Sequence, residues 1–142
     1  MIEEEKKIEL NTHKKINQTL CGKLIEQDKN YAKVKFEATP EMAVDDEGLV
    51  HGGFTFGAAD FCAMATVNHP YVVLVSSKSK FLAPVKVGDV VIFESEVIFD
   101  DDKKQEINVT GKINDIKVYE GIFGTVVLKK HVLKLKITDW TL

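Results

Sequence analysis

The chain has 142 residues, of which 44% are hydrophobic and 29% charged, and its formal net charge is −3. This length fits one domain with a single hydrophobic core, and we therefore treat residues 1–142 as one domain. The mild acidic charge gives no reason to expect a nucleic-acid partner or a membrane-surface partner. Every basic residue is lysine, so a phosphate-binding surface would use lysine point charges rather than the bidentate guanidinium group.

The N-terminus and the two cysteines indicate a soluble, cytoplasmic chain. The first residues are mostly charged and lack the apolar core of a signal peptide, and no stretch approaches the roughly 18 apolar residues of a membrane span. Cys21 and Cys62 lie far apart among apolar neighbours, so both are expected to be reduced, buried thiols. The histidines have no carboxylate or cysteine at ligand spacing, and we expect no metal site.

The first third of the chain predicts a short helix followed by a β-hairpin. Residues 8–18 place three apolar side chains partly on one face, which favours a helix in this N-terminal segment. Apolar and polar residues alternate from Ala32 to Ala38, a period typical of a half-buried strand. Asp28-Lys29-Asn30 offers a turn before it, so residues 20–38 are interpreted as a β-hairpin.

The middle of the chain predicts one long, enclosed helix. Residues 54–68 are apolar on nearly all sides over about four turns, whereas a surface helix would carry a polar stripe. His69-Pro70 ends it, because proline disfavours the helical conformation of the preceding residue and lacks the N–H that would continue the helix.

The remainder of the chain predicts antiparallel strands joined by short turns. One further strand is suggested by the alternating leucines and lysines of residues 133–137, and a bend is expected at Gly121 or Gly124. The simplest packing wraps this sheet around the single helix, which is an α+β arrangement. The predicted strands are residues 71–82, 90–99, 105–113 and 117–130.

Asp60 is the one carboxylate within the apolar helix. A buried, unpaired carboxylate is costly, so it either finds hydrogen-bond donors as a structural group or takes up a proton at raised pKa and serves a function. Gly52-Gly53 stands directly before this helix, where free N–H groups favour an anion or a polarised carbonyl oxygen. Asp60 lies seven residues after Gly53, about 10 Å along the axis, so both act on one atom only if a second subunit supplies one of them.

Two landmarks in the sequence resemble the hotdog-fold acyl-CoA thioesterases. The stretch from His51-Gly52-Gly53 to Asp60 resembles the signature of the phenylacetate-pathway and 4-hydroxybenzoyl-CoA thioesterase-like groups. Phe81-Leu82-Ala83-Pro84 followed by Gly88-Asp89 resembles the second landmark, at a fitting distance. The resemblance implies a hotdog fold, in which a curved antiparallel β-sheet wraps a long central helix. It also implies a homodimer paired edge to edge, often assembled into tetramers or hexamers, with active sites between subunits.

The resemblance also implies a role for individual residues. Asp60 would act as general base on water or as nucleophile, and the Gly53 N–H would polarise the thioester carbonyl. His51 would fix the loop or contact the thioester. The related enzymes often have an asparagine six residues before the histidine, which orients the attacking group from the partner subunit, and this chain has Asp45 at that position. Two facing carboxylates would repel each other, so either one of them holds a proton or the catalytic arrangement is not preserved.

Further residues are candidates for contact with the substrate. A strand hydroxyl could contact the reacting group, and two lysines could meet coenzyme A phosphates, although a solvated polar strand face is the alternative interpretation. Some of the helix phenylalanines could line an acyl tunnel. The candidates are Gly52, Phe54, Ser76, Ser77, Lys78 and Lys80.

Two functions therefore stay open. The first is an acyl-CoA thioesterase that needs no cofactor, coenzyme A entering only as part of the substrate, with an acyl-carrier thioester as the other possible substrate. The second is a non-catalytic acyl-CoA or fatty-acyl binding or sensor protein of the same fold, without a DNA-binding part. A dehydratase of the same fold is less favoured, because such enzymes usually carry a catalytic histidine in a different motif.

Overall fold

The computed structural model describes residues 8–136, which form an antiparallel sheet, one long helix and several short helical turns. The strands are β1 (Lys23–Asp28), β2 (Tyr31–Glu37), β3 (Val72–Phe81), β4 (Val90–Asp100), β5 (Lys104–Ile113) and β6 (Ile116–Val127). The helices are α1 (Gln18–Cys21) and α2 (Gly52–Val67), and 3₁₀ turns occupy Pro40–Met42 and Val132–Lys134.

The six strands form one curved sheet in the order β1-β2-β4-β5-β6-β3, and every pair of neighbours is antiparallel. Strands β1 and β3 are therefore the edges of the sheet. The long helix α2 packs across one face, against β2, β4, β5 and β3. This arrangement confirms the predicted α+β fold with a long helix wrapped by an antiparallel sheet. The edge-to-edge dimer stays a prediction.

The core lies between α2 and the sheet face that covers it. Small residues on the helix, including Ala58, Ala59 and Ala63, let its backbone approach the sheet closely. Burial of this apolar surface is the main source of stability, at about 25 cal/mol per Å² removed from water. The largest fully buried side chains on the sheet side are Phe36, Phe93, Ile107, Tyr119 and Phe123.

The predicted helix over residues 8–18 is wrong, because only Gln18–Cys21 is α-helical. The Asn17 side chain begins this short helix by accepting hydrogen bonds from the N–H groups of Thr19 and Leu20. The chain before it is tied instead to the end of α2, where the Asn11 N–H donates to Asn68 Oδ1 at 2.7 Å. Tertiary contacts thus replace the local helical preference in this segment.

Two predictions about the last strand are also wrong. Residues 132–134 form a 3₁₀ turn rather than an extension of β6, because the His131 ring accepts the Leu133 N–H and closes the chain into a turn. The suggested extension reached Ile137, which lies outside the described residues. Register shifts mark bulges at Val75 in β3 and Val118 in β6, rather than a bend at Gly121 or Gly124. Within residues 8–136, no helix is long and apolar enough to cross a membrane.

Candidate functional site

Asp60 lies on the one face of α2 that is not fully buried. Gly53, Gly57 and Asp60 follow one another at helical spacing on this face, and each keeps some exposure. Phe61 to Thr66, the next six residues, are all buried. The absence of a polar stripe predicted an enclosed helix, and the structure shows that the enclosure is open along this single strip.

The carboxyl group of Asp60 lies in a partly buried, apolar environment, and no hydrogen bond to its Oδ1 atom offsets the cost of burial. Its Oδ1 atom is buried and has no hydrogen-bond partner within residues 8–136. Burial raises the pKa of Asp60 from its ordinary 3.8 to about 6. Burial also raises the pKa of the Cys21 thiol, and the charge of Asp60 adds to that effect. A carboxylate in such surroundings is strongly basic for its type, which suits proton abstraction near neutral pH.

The start of α2 is exposed, and two glycines there offer free backbone donors. Gly52 and Gly53 are the first two residues of α2, so their N–H groups have no acceptor within the helix. The His51 ring folds back over Gly53, where a Cβ atom would lie only 2.8 Å from His51 Nε2. Any larger residue at this position would require the His51 ring to move away from the start of the helix.

The two sequence landmarks meet at this helix start. The Val50 N–H donates to the Val85 carbonyl at 2.9 Å, and the Val87 N–H donates to the Gly48 carbonyl at 2.9 Å. The Asp89 carboxylate accepts the Lys86 N–H at 2.9 Å and closes the turn that carries the second landmark. The loop of residues 84–89 therefore supports the loop of residues 48–51, which explains why the landmarks occur together.

The side chain of Asp45 is used by its own loop. Its Oδ1 atom accepts hydrogen bonds from the N–H groups of Glu47 and Leu49, both at 3.1 Å. This is the local turn geometry that Asp and Asn side chains favour. Within the described part of the chain, the Asp45 side chain thus stabilises the loop that precedes His51, and its encounter with Asp60 of a second subunit stays a prediction.

Asp45→Asn is expected to keep this loop intact, because the asparagine side-chain oxygen accepts the same two N–H groups. Asp45→Ala removes that acceptor and should lower the free energy of unfolding by about 0.5–2 kcal/mol, as loss of a comparable cap does. Urea unfolding of both variants measures the difference. Equal stability of the alanine and asparagine variants would show that these hydrogen bonds do not hold the loop.

The edge strand β3 divides the remaining candidates between the two faces of the sheet. Ser77 and Ser79 pair with Phe123 and Gly121, on the face that α2 covers. Ser76, Lys78 and Lys80 pair with Gly124, Ile122 and Glu120, on the opposite face.

The bulge at Val75 produces this division, because the extra residue reverses the alternation of the residues after it. Lys80 lies 4.0 Å from Glu120 in an exposed ion pair on the outer face. Within one subunit the structure therefore brings Ser77 to the side of Asp60 and directs both lysines away from it.

Phe54, the strand hydroxyl of Ser79 and one residue that the sequence did not single out, Tyr119, complete this region. The Phe54 ring packs edge-on to the His51 ring, with their centroids 6.0 Å apart. Tyr119 and Ser79 share a hydrogen bond of 2.6 Å beneath the helix face. Their pairing depends on strand register, so the only signal in the sequence was the alternation of serines in β3.

Two grooves on the described part of the chain do not include Asp60. A groove of about 460 Å³ lies between β3, β5, β6 and the segment after β6, and of the candidate residues only Ser76 lines it. Among residues 8–136, no three His, Cys, Asp or Glu side chains cluster closely enough to hold a metal ion. The buried carboxylate and the glycine donors on α2 therefore define the candidate site.

Comparison with known proteins places the chain in a family. Residues 47–119 match the family model of the Thioesterase superfamily, and the chain belongs to this superfamily. It is 46% identical to methylthioribose-1-phosphate isomerase of Aquifex aeolicus over 121 residues, and this matched region covers 85% of this chain and 26% of that protein. It is 29% identical over 99 residues to transcription factor FapR of Caldanaerobacter subterraneus, which covers 70% of this chain and 50% of that protein. The chain thus spans a quarter to a half of the length of these curated relatives.

Solved structures agree with this assignment. An uncharacterized protein from Pyrococcus horikoshii is 46% identical and superimposes with a TM-score of 0.88, covering 89% of this chain and 98% of that one. The PaaI protein from the phenylacetic acid degradation operon of E. coli superimposes with a TM-score of 0.71 at 19% identity, covering 80% and 84% of the two chains. The second likeness shows the shared hotdog fold alone.

Proposed function

We propose that this protein hydrolyses acyl-CoA thioesters, with Asp60 as the general base or nucleophile. The observation that carries the proposal is the partly buried Asp60 carboxyl group, whose Oδ1 atom is buried and has no hydrogen-bond partner among the described residues. A fold retains such an uncompensated acid where the group works. Membership of the Thioesterase superfamily supports this class of chemistry.

In the proposed reaction, water attacks the thioester carbonyl carbon while Asp60 accepts a proton from that water. The carbonyl oxygen gains negative charge, which the Gly53 N–H at the start of α2 stabilises. The carbon–sulfur bond then breaks, and the leaving thiolate takes up a proton. If Asp60 attacks directly as nucleophile, water hydrolyses the resulting anhydride in a second step. Neither route needs a cofactor.

We further propose that each site combines two subunits of a homodimer, which is the unit from which a tetramer or hexamer would be built. Asp60 lies two turns along the helix from Gly53, about 10 Å within one chain, so the two groups cannot reach the same carbonyl. A partner subunit that supplies Gly53, with His51 supporting the loop, removes this difficulty. Asp45 would contribute by holding that loop through its two backbone hydrogen bonds.

The acyl thioester would lie along the open strip of α2. Gly52 and Phe54 border the helix start, and Ser77 faces the same side from β3. Ser76, Lys78 and Lys80 lie on the outer face of the edge strand. They would meet the coenzyme A phosphates only where the ligand passes around that edge, so the structure favours the solvated-surface interpretation for them.

Activity is expected to depend on the protonation of Asp60. Below pH 6 the carboxyl group holds a proton, so kcat/KM should fall about tenfold per pH unit; above about pH 7 it should be constant. Thiol release from short, long and aromatic acyl-CoA esters, measured from pH 4.5 to 8.5, tests the hydrolysis and this profile together. An active protein whose kcat/KM does not change between pH 5 and pH 7 would exclude Asp60 as the base.

The second candidate function is binding of an acyl thioester without hydrolysis. The similarity to transcription factor FapR favours it, because the curated relatives of this chain include a protein named as a regulator rather than an enzyme. The same panel separates the two functions. Saturable binding of an acyl-CoA ester without thiol release would support the binding protein and would overturn the hydrolase.

A further inference from the structure

Three hydroxyl groups form a continuous chain from the interior to the edge of the sheet. Tyr119 in β6 is fully buried, and its hydroxyl lies 2.6 Å from Ser79 Oγ in β3. Ser79 Oγ lies 2.8 Å from Ser77 Oγ, and the Ser77 side chain is exposed. All three side chains lie on the face of the sheet that α2 covers.

Burial of Tyr119 favours one arrangement of the three hydroxyl protons. The Tyr119 hydroxyl keeps its proton because burial raises its pKa, and that proton needs an acceptor. Either oxygen of each pair can donate, and when Tyr119 donates to Ser79 Oγ, the Ser79 hydroxyl is free to donate to Ser77 Oγ. In that arrangement Ser79 does not use the Ser77 proton, which is available to an acceptor on a bound ligand or to the Tyr119 oxygen, a further partner of Ser77. Hydrogen bonds aligned in this way also polarise one another.

The backbone of β6 leaves the space that the chain needs. A Cβ atom on Gly121 would lie 2.6 Å from the Tyr119 hydroxyl and 3.2 Å from Ser79 Oγ. Glycine at this position therefore lets the Tyr119 side chain extend along its own strand and reach β3. Two packing contacts hold the ring in place, because Tyr119 lies edge-on to Phe81 and to Phe93 with centroids 5.4 and 5.8 Å away.

The outer end of the chain points to the proposed reaction site. Ser77 pairs with Phe123, whose ring stacks on Phe56 at 5.6 Å, and Phe56 lies one helical turn before Asp60. The charge of Asp60 also acts on the Tyr119 hydroxyl. A donor at Ser77 would meet the acyl thioester on the strip that Asp60 occupies.

We propose that Tyr119 is a positioning residue, which acts through Ser79 to make the Ser77 hydroxyl a hydrogen-bond donor to the carbonyl oxygen of a bound acyl thioester. The proposal rests on the proposed function and adds a second donor to the Gly53 N–H. The donor strengthens its bond as the carbonyl oxygen gains charge, so its loss lowers kcat more than it raises KM.

A double-mutant cycle tests the proposal. Tyr119→Phe and Ser79→Ala are each expected to lower kcat about three- to tenfold, the effect of one hydrogen bond. In a Ser77→Ala background, Tyr119→Phe should change kcat less than about twofold, because the group through which it acts is missing. Tyr31→Phe is the matched control on β2, at the far side of the sheet, and should leave kcat unchanged. Ser79→Thr keeps a hydroxyl and should restore most of the activity.

Three results would overturn the proposal. The first is a Tyr119→Phe effect of equal size with and without Ser77, which would mean that the two residues act independently. The second is wild-type kcat in Ser79→Ala, a variant of a half-buried edge residue that we expect to fold even if Tyr119→Phe does not. The third is a lack of coupling in a binding version of the cycle, which is used if the wild type releases no thiol and the proposed hydrolysis is thereby refuted. Calorimetric binding of a non-hydrolysable acyl-CoA thioether then replaces kcat in the cycle, and additive losses of affinity overturn the positioning role.

Discussion

Asp60→Asn is expected to abolish thioester hydrolysis while leaving the fold and the assembly intact. Asparagine has nearly the same shape but cannot accept a proton from water or attack a carbonyl carbon. Removal of a general base typically lowers the rate by about 10²–10⁴-fold. The measurement is thiol release under saturating acyl-CoA, with size-exclusion chromatography to follow the assembly.

The matched control is Asp115→Asn, which makes the same change in the exposed turn between β5 and β6. Its kcat should equal that of the wild type. A catalytically normal Asp60→Asn protein would remove the basis of the proposed mechanism. Loss of assembly in that variant alone would instead show that Asp60 is a structural group at a subunit contact.

The same substitution is expected to stabilise the protein at neutral and alkaline pH. The pKa of Asp60 is about 6 in the folded chain and 3.8 in its ordinary state, so the unfolded state binds fewer protons between these two values. The free energy of unfolding therefore falls as the pH rises from 3.8 to 6, and the full cost of burying the ionised Asp60 side chain is present above pH 6. Allowing for its partial exposure, this cost is about 2–3 kcal/mol, which Asp60→Asn should recover.

Urea unfolding at pH 8 and at pH 4, at one fixed protomer concentration, measures this effect. The free energy of unfolding of the variant should exceed that of the wild type at pH 8. Most of this advantage should vanish at pH 4, where the wild-type carboxyl group is protonated in the folded state and about two-fifths protonated in the unfolded state. An advantage of equal size at both pH values would assign it to packing rather than to charge. A less stable variant at pH 8 would show that the carboxylate has hydrogen-bond donors in the assembled protein.

Local patterns were sufficient to predict most of the elements. The apolar run of residues 54–68 matches α2 (Gly52–Val67), and the two hairpin strands and four later strands differ from their predicted bounds by a few residues. Period-two alternation and the residue before proline act over short distances, so they can be seen without knowledge of the tertiary structure. The helix predicted for residues 8–18 was wrong because this segment is held by Asn68, which is 57 residues away from Asn11.

The candidate site could be predicted in part. The buried acid and the glycine pair could be located because they contrast with their neighbours in one helix. The role of the Asp45 side chain in its own loop could not be inferred from the sequence, nor could the separation of Ser77 from Lys78. The first depends on two backbone hydrogen bonds, and the second on a single extra residue at Val75 that reverses which side chains face the helix.

The sequence by itself determined that an apolar helix begins at a pair of glycines, that this helix contains one acid, and that strands surround it. Composition and periodicity are sufficient for that, because burial follows from the spacing of apolar residues along one element. Only the tertiary structure decided that Asp60 has no partner among the described residues, and that Tyr119 reaches Ser79 above Gly121. These contacts join residues far apart in the chain, and they depend on strand register, which one bulge is enough to change.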